Sequence, residues 1–249
     1  SFGSSVAAAG DVNDDGFDDV IVGAPGYDLP GLTNCGAAFI FLGSDSGLQT
    51  TPAWSFYGES SEDRLGYAVA GVGNVNADRF DDFMVGAPYH SSLEYAYQGA
   101  AYLFLGDELS LSTTPHWAKY GGQENANLGT SLTPAGDLNQ DGYPDAAIGA
   151  YQYTGDHSKE GRVYVYYGSQ DGLLGSASWW ADGEKADATF GWAIGGNGDL
   201  NRDGYLDLAV GAPGFRVGEV ITGRAFVFYG VPEAGIPPPL PHNLPFSSR

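Results

Sequence analysis

Residues 198–213 read GDLNRDGYLDLAVGAP and join a loop of oxygen-bearing side chains to a short apolar run. The first part has the pattern Asp-x-Asn-x-Asp-Gly-x-x-Asp, and the last part is strand-like and closed by Gly-Ala-Pro. Carboxylate and amide oxygens at alternating positions suit a hard cation such as Ca²⁺, which takes about six to eight oxygen ligands. The pattern is not an EF-hand, because its twelfth residue, Val210, is no bidentate Glu and no helical pattern follows. We therefore predict a short calcium loop between two antiparallel strands.

The same unit occurs four times along the chain, at intervals of 63, 63 and 62 residues. The units begin at Phe2-Gly3, Leu65-Gly66, Leu128-Gly129 and Phe190-Gly191. In each unit the loop and a short apolar strand are followed by Gly-Ala-Pro or a near match, at positions 23–25, 86–88, 149–151 and 211–213. A fixed period is the signature of a repeat architecture, in which each unit buries its apolar face against its neighbour. We therefore predict one array over residues 1–230, with repeats at about 2–64, 65–127, 128–189 and 190–230.

The composition of one unit predicts four short strands. In the first unit these are residues 5–9, 20–22, 37–42 and 52–57; later third strands are 100–105, 162–167 and 224–229. Fourth strands recur around Trp117 and around Trp179-Trp180, a spacing that favours packing between units over ligand stacking. Four antiparallel strands per unit predict an all-β fold in which each unit is one β-propeller blade.

The segment after residue 230 departs from this plan. Residues 231–249 contain six prolines and no tryptophan. Proline cannot donate to a strand ladder, so this composition excludes an interior strand and favours extended, polyproline-like chain. We expect fifteen strands where four full blades need sixteen. The last blade is then left short, or residues 231–249 are a Pro-rich tail or linker towards further repeats or domains of a longer chain.

The formal net charge of −21 argues against two classes of partner. Nucleic-acid binding requires basic groups that neutralise phosphates, and anionic membrane surfaces attract the same groups. No apolar run approaches the length of about 18 residues that suggests a membrane span, so no membrane insertion is predicted. The single cysteine, Cys35, allows no disulfide within the chain.

Phe-Gly, the Asp-x-Asn-x-Asp-Gly-x-x-Asp loop and Gly-Ala-Pro, repeated at about 63 residues, resemble the FG-GAP repeats of the integrin α-subunit β-propeller. The resemblance covers residues 2 to about 230. The phrases at 43–48 and 168–173, and the lack of disulfides, look closer to microbial extracellular members. The resemblance implies that the chain is secreted and lies outside the cell or at the cell surface. Seven such repeats close the ring in integrins, so four imply either a section of a larger seven-bladed propeller or a four-bladed ring.

The resemblance also implies about three structural Ca²⁺ ions in the loops that match the pattern. The implied ligands are Asp11, Asn13, Asp15, the Phe17 carbonyl and Asp19; Asp137, Asn139, Asp141, the Tyr143 carbonyl and Asp145; and Asp199, Asn201, Asp203, the Tyr205 carbonyl and Asp207. The second loop, with Asn74, Asn76, Asp78, Arg79 and Asp82, departs from the pattern at Asn74 and at Arg79. It lacks the first carboxylate and the glycine, so we predict that it is empty or binds weakly. We expect the Arg79 guanidinium to stand in for the ion as a partner of Asp78 or Asp82.

No pattern of catalytic residues is present, and we predict that the chain is not an enzyme. The four histidines are scattered, and no metalloprotease, nucleophile-elbow or phosphate-loop motif occurs. Function is expected on the loops that face away from the metal hairpins, residues 26–36, 89–99, 151–161 and 214–223, where exposed aromatics suit recognition. The candidate partner-binding residues are Tyr27, Tyr89, His90, Tyr95, Tyr97, Tyr151, Tyr153 and Phe215. The first function predicted is a calcium-stabilised extracellular adhesion or recognition module for a protein or glycan; the alternative is an accessory, non-catalytic propeller of a secreted hydrolase or phospholipase.

Overall fold

A computed structural model describes residues 1–108 and 110–231, and the backbone of residues 242–244. It contains four antiparallel sheets of four strands. The first sheet consists of β1 (Ser5–Gly10), β2 (Asp19–Ala24), β3 (Ala37–Phe41) and β4 (Trp54–Tyr57). The second consists of β5 (Ala68–Gly73), β6 (Asp82–Ala87), β7 (Ala100–Phe104) and β8 (Trp117–Tyr120). The third consists of β9 (Leu128–Gly136), β10 (Asp145–Ala150), β11 (Arg162–Tyr166) and β12 (Trp179–Asp182). The fourth is β13 (Ala193–Gly198), β14 (Asp207–Ala212), β17 (Arg224–Phe228) and β18 (His242–Leu244), and a small hairpin, β15 (Arg216–Val217) with β16 (Val220–Ile221), lies between β14 and β17. None of the described residues forms a helix long and apolar enough to span a membrane.

Each sheet is one blade, and its strands follow chain order. The second strand of each blade is largely buried, because it lies between two other strands of its sheet, and in the second and third blades it also lies between two neighbouring blades. β6, for example, reads DFMVGA and is buried at every residue. Strands covered on both faces carry apolar side chains on both faces, which explains why these segments do not alternate between apolar and polar residues. The all-β propeller fold predicted from the repeats is confirmed.

Neighbouring blades are joined by apolar cores in which aromatic rings meet edge to face. The tryptophan of one blade's fourth strand packs against the third strand of the next blade in all three junctions. The ring-centroid distances are 4.8 Å for Trp54–Phe104, 4.8 Å for Trp117–Tyr166 and 5.1 Å for Trp179–Phe228. This confirms that the recurring tryptophans pack between blades. Edge-to-face pairs of this kind contribute about 0.5–1.5 kcal/mol beyond the area that they bury.

Three large cores join the first blade to the second, the second to the third and the third to the fourth. Within the described residues, none of them joins the fourth blade to the first. The outward faces of these two blades carry exposed apolar side chains, including Val6 in β1 and Leu200 before β14. The described chain is therefore an arc of four consecutive blades, and not a closed four-bladed ring.

The fourth blade differs from the sequence prediction, because it has a fourth strand. β18 pairs antiparallel with β17, with His242 opposite Val227. The expectation of fifteen blade strands was wrong because the prolines flank residues 242–244 and do not interrupt them. β18 is also an edge strand, where the exclusion of proline is weakest. The rest of the predicted tail, residues 232–241 and 245–249, lies outside the described residues, and its role as a linker stays a prediction.

Candidate functional site

The hairpin between the first two strands of each blade is a tight loop held by its own carboxylates. In the first loop, Asp11 accepts the N–H groups of Asp15 and Gly16 at 3.1 and 2.8 Å. Asp15 in turn accepts the N–H of Phe17 at 3.0 Å. The backbone is left-handed at Asp14 (φ 58°) and at Gly16 (φ 90°), and the second of these turns suits glycine. The third and fourth loops repeat these hydrogen bonds and the left-handed glycine.

The ninth residue of every loop is an aspartate buried beneath the hairpin: Asp19, Asp82, Asp145 and Asp207. One of its carboxylate oxygens accepts the N–H of the loop's second residue at 2.6–2.9 Å. The other accepts the N–H of a glycine two residues beyond the third strand at 2.8–3.0 Å. Burial raises the pKa of Asp82 and of Asp145 to about 7, although these N–H donors oppose the change. Burial also raises the pKa of Asp19. Through its two hydrogen bonds, the ninth residue of each loop fastens the hairpin to the third strand of its own blade.

The three intact loops fit a calcium ion in the kind of donor that they offer. Each provides carboxylate, amide and carbonyl oxygens around one turn, which is the donor set that Ca²⁺ prefers. No three acidic, His or Cys side chains in the described part of the chain are gathered as a ready ligand set. The carboxylates instead accept N–H groups from their own loop, and each oxygen can accept more than one hydrogen bond or metal contact. A cation in the loop would favour the ionised form of the buried aspartate.

The second loop has a different turn and a different use for its arginine. Arg79 replaces the glycine and does not adopt the left-handed conformation of Gly16 and its counterparts. Its guanidinium lies 3.4 Å from Asp14 in the first loop and 3.3 Å from Glu108. The expectation that it pairs with Asp78 or Asp82 was therefore wrong. Both carboxylate oxygens of Asp82 are already bonded to buried backbone N–H groups, so the side chain of Arg79 extends outward over the neighbouring loop.

The opposite face of the arc is built on a backbone frame that recurs at each junction between blades. Three residues in each frame have positive φ: Asn34, Glu62 and Arg64 at the first junction; Tyr97, Asn125 and Asn127 at the second; Lys159, Asp187 and Thr189 at the third. Backbone hydrogen bonds between the two segments of each frame recur in register. Non-glycine residues with positive φ are uncommon, so their recurrence marks a fixed conformation. The frame presents different side chains from one junction to the next.

A cavity of about 350 Å³ opens on this face between the first two junctions. Its lining residues are Glu62, Arg64, Tyr89, Tyr97, Asn125, Asn127 and Gln152. The Arg64 guanidinium lies 5.0 Å from the centre of the Tyr89 ring, and Tyr89 meets Tyr97 edge to face at 6.2 Å. Asn127 is buried and donates to the Pro88 carbonyl at 2.9 Å, whereas its Oδ1 has no hydrogen-bond partner in the described chain. The cavity thus combines aromatic walls with amide and charged groups, the mixture that orients polar ligands.

The structure divides the predicted partner-binding residues into separate environments. Only Tyr89 and Tyr97 line the cavity, while Tyr27 packs near Tyr57 on the outward face of the first blade. Tyr151 packs against Trp192, Tyr153 lies against Arg162, and His90 lies beside Tyr120. Tyr95 is partly buried.

Phe215 is buried between Arg224 and Phe226, so the prediction that it offers a partner-binding surface was wrong. The ring belongs to the apolar core between the third and fourth blades, and the small β15–β16 hairpin follows it in the chain. Five cavity residues were not predicted from the sequence, because they lie outside the predicted recognition loops or carry no aromatic ring: Glu62, Arg64, Asn125, Asn127 and Gln152. One signal was available for two of them. Arg64 and Asn127 directly precede the Leu-Gly pair that begins a repeat.

Together, the blades and their hairpin loops define an array of β-propeller repeats. The family model described as the FG-GAP repeat matches residues 2–41, 65–104, 128–166 and 190–228. The chain belongs to the FG-GAP repeat family.

Several known proteins are similar to this chain over most of its length. Human integrin alpha-7 is 33% identical over 198 residues, which are 77% of this chain and 15% of the relative. Integrin alpha-8 of Gallus gallus is 34% identical over 226 residues, 88% of this chain and 20% of the relative. The phosphatidylinositol-glycan-specific phospholipase D of Bos taurus is 33% identical over 220 residues, 83% of this chain and 26% of the relative. The chain therefore spans about a quarter or less of the length of these relatives.

Among solved structures, an exotype rhamnogalacturonan lyase superposes with a TM-score of 0.45 at 10% sequence identity. The superposition covers 81% of this chain and 37% of the lyase chain. A likeness of this extent carries no argument about activity.

Proposed function

We propose that the chain is a calcium-stabilised extracellular recognition module that binds a protein or glycan partner through the face opposite the hairpin loops. The observation that carries this proposal is the cavity on a backbone frame that recurs from junction to junction. A fixed backbone frame with variable side chains supports recognition, because the binding residues are already held in place and lose little conformational entropy when a partner binds. Similarity to integrin alpha chains supports an adhesive role outside the cell. The proposed role is non-catalytic.

The cavity offers a particular set of contacts to such a partner. Tyr89 and Tyr97 supply aromatic surface, and the buried Asn127 Oδ1 has no hydrogen-bond donor among the described residues. Glu62 and Arg64 are 3.4 Å apart and offset each other's charge. A ligand with several hydroxyl or amide groups, such as a sugar ring or a polar side chain, suits this lining better than a strongly charged ligand does.

The partner-binding proposal is tested by screening the purified chain against a glycan array and a panel of extracellular matrix proteins. Tyr97→Ala should weaken binding of any ligand recovered by about tenfold or more, since an aromatic contact at the centre of an interface typically contributes over 1 kcal/mol. Lys159→Ala is the matched control, because Lys159 occupies the equivalent left-handed position of the third junction. Ligands that bind both variants equally would place recognition elsewhere. A chain that binds nothing on either panel would overturn the proposal.

We further propose that calcium occupies the first, third and fourth hairpin loops and stabilises the fold there. The ion supplies positive charge that the clustered carboxylates otherwise lack, and the loop residues orient their oxygens around it. At 10 mM calcium and a Kd of about 10⁻⁴–10⁻³ M, each site would stabilise the folded chain by about 1.4–2.7 kcal/mol. Chelation would remove this contribution without any chemical change to the chain.

The calcium proposal is tested by measuring bound ions and thermal stability across a calcium titration. We expect about three ions per chain and a melting temperature that rises with calcium. Asp203→Ala in the fourth loop should remove one ion and part of the rise. Asp78→Ala, at the equivalent position of the second loop, is the control and should change neither. Four ions in the unmodified chain, or none, would refute the assignment.

One observation favours a second function, an accessory propeller attached to a secreted hydrolase. The phospholipase D relative shows that a similar stretch occurs within a protein named as a lipid-cleaving enzyme. In that case, the chain would show no turnover by itself and would bind the catalytic domain of its parent protein. Calcium-dependent phosphatidylinositol-glycan cleavage by this chain alone would overturn both functions.

A further inference from the structure

The second of the three junction frames differs from the other two in the charge of its side chains. The first frame carries Glu62 and Arg64, and the third carries Lys159 and Asp187. The second frame has only aromatic and amide side chains at its three positions of positive φ, which are Tyr97, Asn125 and Asn127. A ligand that contacts this frame therefore meets an aromatic ring and hydrogen-bonding groups, but no charged side chain of the frame itself.

Tyr97 forms a fixed aromatic wall of the cavity. Its φ of 49° lies in the left-handed region, where bulky residues are uncommon and Asn is enriched, as at the equivalent Asn34. The Tyr97 N–H donates to the Ser91 hydroxyl at 2.9 Å, and its carbonyl accepts the N–H of Asn127 at 3.1 Å. Both segments of the frame thus hold this backbone in place. The ring is 45% exposed and meets Tyr89 edge to face, so it can contact a ligand without first being ordered.

Asn127 adds a buried hydrogen-bond acceptor to this wall. The residue is 2% exposed, and its Nδ2 donates to the Pro88 carbonyl at 2.9 Å, which fixes the orientation of the side-chain amide. Its backbone N–H donates to the Tyr97 carbonyl, and its own carbonyl accepts the Thr130 hydroxyl at 2.7 Å. Only Oδ1 has no partner among the described residues. A buried acceptor without a donor is unfavourable, so a ligand that supplies a donor here is favoured over one that does not.

The two charged residues that line the cavity are already paired with other groups of the chain. The Glu62 carboxylate lies 3.4 Å from the Arg64 guanidinium and also accepts the side-chain amide of Asn34 at 2.8 Å. The Arg64 guanidinium lies 5.0 Å from the centre of the Tyr89 ring. A charged ligand would have to break these contacts, and an acidic one would also be repelled by the net charge of −21. The cavity therefore favours a neutral ligand.

We propose that the cavity binds a neutral sugar ring at the end of a glycan, and that Asn127 selects this ring by accepting a hydrogen bond from one of its hydroxyl groups. This inference rests on the proposed recognition function and narrows it to one class of ligand. The C–H groups of a sugar ring suit the electron-rich face of Tyr97, and its hydroxyls both donate and accept, as the amide side chains do.

The size of the cavity supports a sugar ring over a segment of a protein. A volume of about 350 Å³ is at the small end of ligand sites, which span about 300–1,000 Å³. A protein partner, in contrast, covers a wide surface and inserts large aromatic or Arg side chains. Because the Asn127 Oδ1 is buried, a side chain of the cavity lining has to rotate before the sugar hydroxyl reaches it, and such rotations are common on binding.

The test is ligand-detected NMR of the 249-residue chain with the methyl glycosides of glucose, galactose, mannose and N-acetylglucosamine, at about 0.1–30 mM to cover Kd values near 1 mM. The methyl glycosides of glucuronic acid and sialic acid are the acidic comparison. At least one neutral glycoside should bind, and the acidic ones should not displace it. Asn127→Gly should weaken its binding about three- to tenfold, the effect of one lost hydrogen bond. Glycine suits the φ of 55° at this position.

Thr189→Gly is the matched control for the change in backbone and local bonding. Thr189 has a φ of 54° at the equivalent position of the third frame, and its Oγ1 accepts the N–H of Gly214 at 3.0 Å. The variant thus loses a comparable side-chain bond away from the cavity. It should bind the neutral glycoside as tightly as the unmodified chain does. Equal binding by Asn127→Gly and the unmodified chain would overturn the role of Asn127.

Deoxyfluoro analogues of the bound glycoside separate the hydrogen bond from a merely structural effect of the variant. Fluorine takes the place of a hydroxyl but cannot donate a hydrogen bond. The analogue changed at the selected hydroxyl should bind the unmodified chain about three- to tenfold more weakly than the parent sugar does. Asn127→Gly should bind that analogue and the parent sugar equally. The same loss in both proteins would show that this hydroxyl does not donate to Asn127, and would overturn its assigned role.

Two other results distinguish failure of this inference from failure of the proposed function. Binding of acidic sugars alone, or Tyr97-dependent binding of a matrix protein whose glycans have been removed, would overturn the neutral-sugar assignment and leave the recognition face intact. A chain that binds neither sugars nor proteins would overturn both.

Discussion

Phe190 and Phe2 occupy the same position of the repeat, and we predict that replacing each by alanine lowers the free energy of unfolding by very different amounts. Phe190 is 0% exposed, and its ring centre lies 5.2 Å from that of Phe226 and 6.1 Å from that of Phe228. Phe190→Ala would remove these contacts and leave a cavity between the third and fourth blades. Large-to-small changes of this kind cost about 3–5 kcal/mol.

Phe2→Ala should destabilise the chain far less, because Phe2 is 63% exposed and its ring meets Phe39 and Phe41 of its own blade. Full burial of a phenylalanine contributes about 1.5–3 kcal/mol, so the buried third of this side chain accounts for about 0.5–1 kcal/mol. The site also opens to solvent, so no enclosed cavity would remain. The two variants should therefore differ by at least about 2 kcal/mol in the free energy of unfolding.

The assay is urea unfolding followed by tryptophan fluorescence, with each change made singly in the otherwise unmodified chain. The slope of the unfolding free energy against urea should stay constant among the variants, which shows that the same unit unfolds. Leu65→Ala, at a position that is 2% exposed in the second blade, should resemble Phe190→Ala. Equal losses for Phe2 and Phe190 would refute the argument that the covering blade decides the energetic role of this position.

Two further predictions concern the second hairpin loop and the third blade. Asn74→Asp combined with Arg79→Gly should create a fourth calcium site, since the pair restores the first carboxylate and the left-handed turn; ion counting that still gives about three would show that a further feature blocks the loop. Arg162→Lys should destabilise the chain by about 1–2 kcal/mol in urea unfolding. The Arg162 guanidinium lies 3.9 Å from the centre of the Tyr153 ring and 4.0 Å from that of the Trp180 ring, and a lysine ammonium cannot reproduce this stacking. An unchanged stability would mean that the stacked arginine contributes nothing.

Much of the fold is predictable from sequence because the repeat period is visible in short, nearly invariant phrases. The phrase Gly-Ala-Pro and its close matches define the end of each second strand to within two residues, and the hairpin loops define its start. β18 was missed for the opposite reason. Three residues between prolines carry almost no local signal, and only pairing with β17 makes them a strand.

The candidate site was less predictable, since it depends on which segments meet at a junction. Arg64 and Tyr97 are far apart in sequence and line one cavity because two blades bring their loops together. Phe215 looks like an exposed loop aromatic in the sequence, but Arg224 and Phe226 bury it. Arg79 looks like a partner for its own loop, but its guanidinium pairs with Asp14 of the first loop and with Glu108.

The sequence by itself determined the blade, because strand composition, loop oxygens and turn glycines are local properties that act within about 63 residues of chain. Only the tertiary structure decided which of two equivalent residues is buried. Phe2 and Phe190 share one motif, as do Gly3 and Gly66, yet one member of each pair is open and the other is covered. Burial depends on the neighbouring blade, and a motif cannot encode whether a neighbour is present.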